Sequence, residues 1–202
     1  MARTPRVVED RREQIIDAAM RVFSQKGFTR ATNKDIACEA GITAGLIYHY
    51  FENKKALLDA IIEGRSPLRL MRSLSPHVLA LPPERFLRFL VPQVLGIVEE
   101  EKFVQLIRVF LPEALHNPEM ERTAAETLGK GLNFLTDYFS SKMLSGELRQ
   151  SNAALTAQTL LGCIMGFVLR RQVLRDPTAL EYTHAQIAEV IVETLLKGLL
   201  PR

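Results

Sequence analysis

Apolar residues recur at helical spacing from close to the start of this chain. From Glu9 onward, Ile15, Ala18, Ala19, Val22 and Phe23 fall at offsets of three, four, seven and eight, which puts them on one stripe of a helix. Gly27 closes that helix by accepting a left-handed backbone, and Phe28 folds back onto the turns just completed. Thr32 followed by Asp35 reads as a capping box that opens a short helix over Asn33 to Ala40. Gly41 breaks that helix, Thr43 caps a two-turn segment ending at Phe51, and Asn53 starts a fourth helix.

Beyond Asn53 the pattern stays helical, with prolines as punctuation. Pro67 and Pro76 loosen the chain, Pro82 and Pro83 open a helix, and Pro92 and Pro112 are predicted to kink or end theirs. Asn117 and Pro118 begin a long helix to near Met143, and Gly146 separates it from one capped by Ser151 or Asn152 that runs to near Leu174. Asp176, Pro177 and Thr178 make the next break. Ile187, Val190, Ile191 and Leu195 then stripe a last helix that ends at Gly198. No strand-like alternation occurs, so the expected fold is all-α, with about nine helices and no internal repeat.

Two short helices around a tight glycine turn match the needs of a helix-turn-helix, whose second helix must enter the DNA major groove while the first braces it. Ile36, Ala37, Ile42, Leu46 and Ile47 supply the apolar contacts that lock these helices together. Lys34, Thr43, Ala44, Tyr48 and His49 are left for an outward face.

At these positions the chain resembles the TetR family of transcriptional regulators. The resemblance rests on Ile15, Ala18, Ala19, Phe23, Gly27, Phe28, Thr32, Ile36, Ala37, Ala40, Gly41, Tyr48, Phe51, Lys54 and Leu57, above all on the stretch from Gly41 to Lys54. It implies a homodimer with a DNA-binding domain over residues 1–54 and an effector-binding and dimerisation domain over residues 55–202. It also implies a DNA-contacting set of Thr32, Asn33, Lys34, Thr43, Ala44, Gly45, Tyr48, His49 and Lys54. The Tyr48 hydroxyl and Lys54 ammonium suit phosphate oxygens, and Lys34 is placed to reach a base. Ala44 and Leu46 depart from the polar or small residues common at those positions, which leaves few side chains for direct base readout.

The C-terminal part carries most of the apolar content. The helix containing Leu160, Leu161, Ile164, Met165, Phe167, Val168 and Leu169 is apolar nearly all round, with Gly162 and Gly166 permitting close helix approach. Leu161, Gly162, Met165, Gly166, Leu169, Ile187, Val190, Ile191 and Leu195 are the expected dimer interface, since the family builds its dimer from the last two helices. An effector pocket is expected among the middle helices, from Phe86, Phe89, Phe103, Ile107, Phe110, Phe134 and Tyr138, with Gln105, Arg108, His116 and Asn133 as polar groups. An effector bound there would move the fourth helix and change the separation of the recognition helices.

Composition adds exclusions. Of 202 residues 47% are hydrophobic, and the net charge of +3 permits a nucleic-acid partner without demonstrating one. Cys38 and Cys163 have no metal-ligand spacing and form no disulfide framework, which suits a reducing cytoplasm. No apolar signal segment follows Met1 to Arg6. The apolar run Leu160 to Leu169 has about half the length that a membrane span needs and reads as a buried helix. A glycine-rich phosphate loop, a paired-histidine metal motif and a serine elbow are all lacking, and His77, His116 and His184 are scattered. The expected protein is therefore not an enzyme and takes no cofactor. Its partners are double-stranded operator DNA, a small-molecule effector and a second copy of itself, with no membrane. Repression is the expected mode; the alternatives are an activator or corepressor-dependent regulator of the same fold, and, from another class, a helical carrier or enzyme.

Overall fold

A computed structural model describes residues 5–199, and among the described residues all regular structure is helical. Twelve α-helices and one π-helical turn are present among the described residues, where about nine helices were expected. The surplus is three short helices beside prolines, at positions that read from sequence as breaks. They are α5 (Leu68–Ser73), α6 (Pro76–Leu79) and α11 (Pro177–Leu180). Ser75 and Asp176 cap the last two through side-chain oxygens, which lets a single turn form where proline already fixes φ.

The chain divides into two compact units. The first comprises α1 (Pro5–Lys26), α2 (Asn33–Ala40), α3 (Ala44–Tyr50) and α4 (Lys54–Arg65), joined by residues 105–124. That segment holds most of α8 (Glu101–Ala114) and the start of α9 (Pro118–Leu144). The sequence-based boundary after residue 54 therefore differs from the spatial one, which keeps α4 and 105–124 with the N-terminal helices. Ile15, Ala18, Ala19, Phe23, Ile36, Ile47, Leu57 and Ile61 form the buried centre of this unit, each large side chain contributing about 1.5–3 kcal/mol. Phe23, Phe28 and Phe110 meet with ring centroids 5.3, 6.0 and 6.1 Å apart.

The second unit comprises residues 66–104 and those from 125 onward. Here α12 (His184–Leu199) packs along α7 (Pro83–Glu99), and α10 (Ala153–Val168) touches both. Pro92 and Pro112 do not end their helices. Both lie inside continuous ones, α7 and α8, where neighbouring packing outweighs the lost hydrogen bond. A buried ion cluster ties the far end of α7 to the chain after α10. The Glu99 carboxylate accepts from Arg171, at 2.7 Å from its Nε, and meets His184, while Arg171 also donates to the carbonyls of Ala179 and Tyr182. Burial pushes the Glu99 carboxyl up, but the hydrogen bonds and charges of Arg171 and His184 outweigh it and leave the pKa lowered.

The helix expected to be buried is not. With its π-helical turn Leu169–Val173, α10 forms a 21-residue stretch over 153–173, and only 28% of its apolar 18-residue window is buried. By length and composition that stretch could cross a membrane. The inward side, Ala157, Leu160, Ile164 and Val168, is buried, while Leu155, Gly162, Cys163, Gly166 and Leu169 are exposed.

Candidate nucleic-acid interface

Residues 27–51 are fixed mainly by short-range hydrogen bonds. Gly27 adopts φ 76°, turning the chain out of α1. The Thr32 hydroxyl then accepts from the Asp35 amide at 3.2 Å, while the Asp35 carboxylate takes the Thr32 amide at 3.0 Å, completing the expected capping box. Lys26 Nζ donates to the same carboxylate at 2.6 Å. Hydrogen bonds from Lys26 and then from Thr32 hold the Asp35 pKa down to about 2. Gly41, at φ 64°, closes α2, and the Ile42 amide returns to the Ala37 carbonyl at 2.9 Å. Thr43 takes the cap position of α3 without making a side-chain capping bond.

Long-range contacts then hold this pair of helices against α1. Gln14 Nε2 donates to the Ala40 carbonyl at 2.8 Å, and Arg21 pairs with Glu39. Ile36, Ala37 and Ile47 are buried beneath the pair, with Ile42 and Leu46 half-buried. On the other side Thr32, Lys34, Thr43, Gly45, Tyr48 and His49 are exposed, and Ala44 and Asn33 partly so. Tyr48 is 59% exposed beside the fully buried Ile47, so adjacent residues of α3 have opposite duties. The Asn33 Oδ1 is buried without a hydrogen-bond partner.

Lys54 is the member of the expected set whose side chain folds onto the protein's own backbone. Its ammonium donates to the carbonyls of Phe28 (2.8 Å), Thr29 (3.3 Å) and Ala31 (3.1 Å) and lies 4.5 Å above the Phe28 ring. Those bonds use all three of its donors. Partial burial lowers its pKa, with the charges of Glu119 and Glu113 acting the other way. In this structure the ammonium braces the turn between α1 and α2.

Two family profiles match the chain. One, described as bacterial regulatory proteins of the tetR family, covers residues 15–61; the other, the C-terminal domain of AefR-like transcriptional repressors, covers residues 85–198, more than half the chain. This chain belongs to the TetR family. The regulator UidR of Escherichia coli is 29% identical over 162 residues, 77% of this TetR-family chain and 78% of the relative. BetI of Cronobacter sakazakii is 27% identical over 190 residues, covering 92% and 91%. Among solved structures, SmeT in complex with triclosan aligns at TM-score 0.74 with 21% identity, covering 95% of this chain and 92% of that one. FadR of Bacillus subtilis in complex with stearoyl-CoA aligns at 0.71 with 24% identity, covering 92% and 98%.

The residues expected to line an effector pocket in this TetR-family protein are divided between the two units. Gln105, Ile107, Arg108, Phe110 and His116 belong to the N-terminal one, and Phe86, Phe89, Phe103, Asn133, Phe134 and Tyr138 to the C-terminal one. Phe110 is corrected to core, packed with Phe23 and Phe28. Phe86 and Tyr138 stack with centroids 3.8 Å apart, and the Tyr138 hydroxyl donates to the Leu81 carbonyl. Gln105, Arg108 and Asn133 are exposed because helical periodicity turns them away from the buried side chains of α8 and α9, and His116 is exposed in the turn between those helices; Phe89 is 39% exposed.

The expected dimer residues also separate into two faces. Ile187 and Ile191 are buried within the single chain, and Ile191 also borders the groove between α10 and α12. Gly162, Gly166, Leu169 and Val190 are exposed, and Leu161, Met165 and Leu195 are partly so. Sequence reasoning missed Leu155, 65% exposed on the first turn of α10. It also missed Thr29, Glu113 and Asn117, which contact one another beside Gly27 across more than 80 residues of chain. Nothing in the local pattern marked that contact.

Proposed function

We propose that this TetR-family chain is a ligand-responsive repressor that acts in the cytoplasm, binds a near-palindromic operator as a homodimer and is released by a small-molecule effector. The observation that carries this reading is the division of α3, with Ile47 fixed in the core and Thr43, Gly45, Tyr48 and His49 turned outward. Such a helix can lie in a major groove with its position set by the protein interior. Lys34 on α2 adds an exposed cation for a base or phosphate. The relatives named as regulators, and the neighbours solved with triclosan and stearoyl-CoA, support regulation by an apolar or amphipathic effector. They give no support to catalysis.

Dimerisation supplies the second recognition helix. An open groove of about 530 Å³ runs between α10 and α12, lined mainly by apolar residues including Leu155, Cys163, Phe167, Val190 and Leu195. A second copy laid on this face would bury the apolar surface that α10 leaves bare; an operator-binding dimer needs its two recognition helices about 34 Å apart, one turn of DNA.

The test is to incubate purified protein with fragmented genomic DNA at near-physiological salt, sequence what is retained and determine the stoichiometry of the complex. An inverted repeat bound by dimers is expected. Salt-sensitive retention without sequence preference would remove the operator and repressor reading while leaving the fold intact.

A further inference from the structure

Residues 105–124 lie inside the stretch that the C-terminal domain profile covers, yet they pack within the compact unit that contains the helix-turn-helix. Their attachment is specific. Phe110 enters the aromatic cluster of Phe23 and Phe28. Glu113 Oε2 accepts from the Thr29 hydroxyl at 2.9 Å, and that hydroxyl's oxygen in turn accepts from Asn117 Nδ2 at 3.1 Å. A Cβ on Gly27 would lie 2.5 Å from Glu113 Oε1, so the carboxylate occupies the space that glycine leaves vacant. From another side Lys54 holds the carbonyls of the same turn.

We infer that Glu113 is a positioning residue for DNA binding: its carboxylate clamps the 27–31 turn and thereby sets α2 and α3. This rests on the regulator reading above. The turn leads without slack into Thr32, the cap of α2, and the Gly41 turn passes the placement of α2 on to α3.

The experiment uses the full-length protein with Glu113→Ala, Glu113→Gln, Thr29→Val and, as a control in the other unit, Asp176→Ala, which removes the α11 cap. Affinity for a retained genomic fragment and amide exchange over residues 28–40 are both measured. Glu113→Ala should weaken DNA binding about tenfold and speed exchange in that window. Glu113→Gln, which keeps an oxygen for Thr29, should recover most of the loss, and Thr29→Val should add nothing to Glu113→Ala. Faster exchange with unchanged DNA affinity would overturn the inference, as would equal loss of binding in Asp176→Ala at matched melting temperature. If the wild-type protein selects no DNA, the regulator reading fails; the clamp is then judged by exchange alone, and unchanged exchange in Glu113→Ala overturns it.

Discussion

Helices α3 and α10 each leave one face uncovered by their own chain, and the two faces differ in chemistry. On α3 the bare side is Thr43, Gly45, Tyr48 and His49, small or polar groups that water solvates without penalty. On α10 it is Leu155, Gly162, Cys163, Gly166 and Leu169, which water does not solvate well. A polar face held rigidly from below suits a hydrated, charged partner such as DNA, whereas an apolar one gains most from another apolar surface. Within one chain, the chemistry of the uncovered face thus separates the two kinds of partner.

The most forceful way to break this contrast is to exchange neighbours on α3. Ile47→Ala should cost about 2–5 kcal/mol in urea unfolding because it opens a cavity. Tyr48→Ala should stay within about 0.5 kcal/mol of wild type in that assay and yet lose DNA affinity. Equal unfolding midpoints for the two variants would dissolve the distinction between inner and outer faces. Next in size is Leu155→Asp on α10, expected to raise the dimer dissociation constant by on the order of a hundredfold in sedimentation equilibrium, with helicity retained. An unchanged dimer would place the contact elsewhere.

A smaller effect sharpens the electrostatic side. If Lys54 stays on its carbonyls, Lys54→Met should lower stability and leave the salt dependence of DNA binding unaltered. A slope reduced by about 0.9, the value for one phosphate, would mean that the ammonium leaves the turn on binding DNA. The smallest effect concerns Asp35. Its folded pKa of about 2 lies below the usual aspartate value, so its stabilisation is fully present above about pH 4 and is lost as pH falls through 2. Asp35→Asn should therefore melt below wild type at pH 6, and the gap should close toward pH 2; a gap constant with pH would deny the carboxylate that role.

What the sequence made legible is what neighbouring residues decide. The Thr32–Asp35 box, the left-handed Gly27 and Gly41, and the Asn53, Asn117 and Asn152 caps all act over two to four residues. Ile187 and Ile191 fell on the right stripe, but a stripe does not say whether its cover is α7 or a second chain. Phe110 belongs with Phe23 and Phe28, and Glu113 with Thr29, through chain closures that no local pattern records. Lys54 shows a further limit: its position matched the family, while the fate of its long side chain depended on three carbonyls brought together by the turn.

Helix α9 has a mechanical consequence. Its 27 residues belong partly to each compact unit, and at 1.5 Å per residue the rod is about 40 Å long. Tilting such a rod by about 5° about one end sweeps the other through roughly 3–4 Å, more than a hydrogen bond survives. A displacement of that size at the start of α9 would part Asn117 from Thr29.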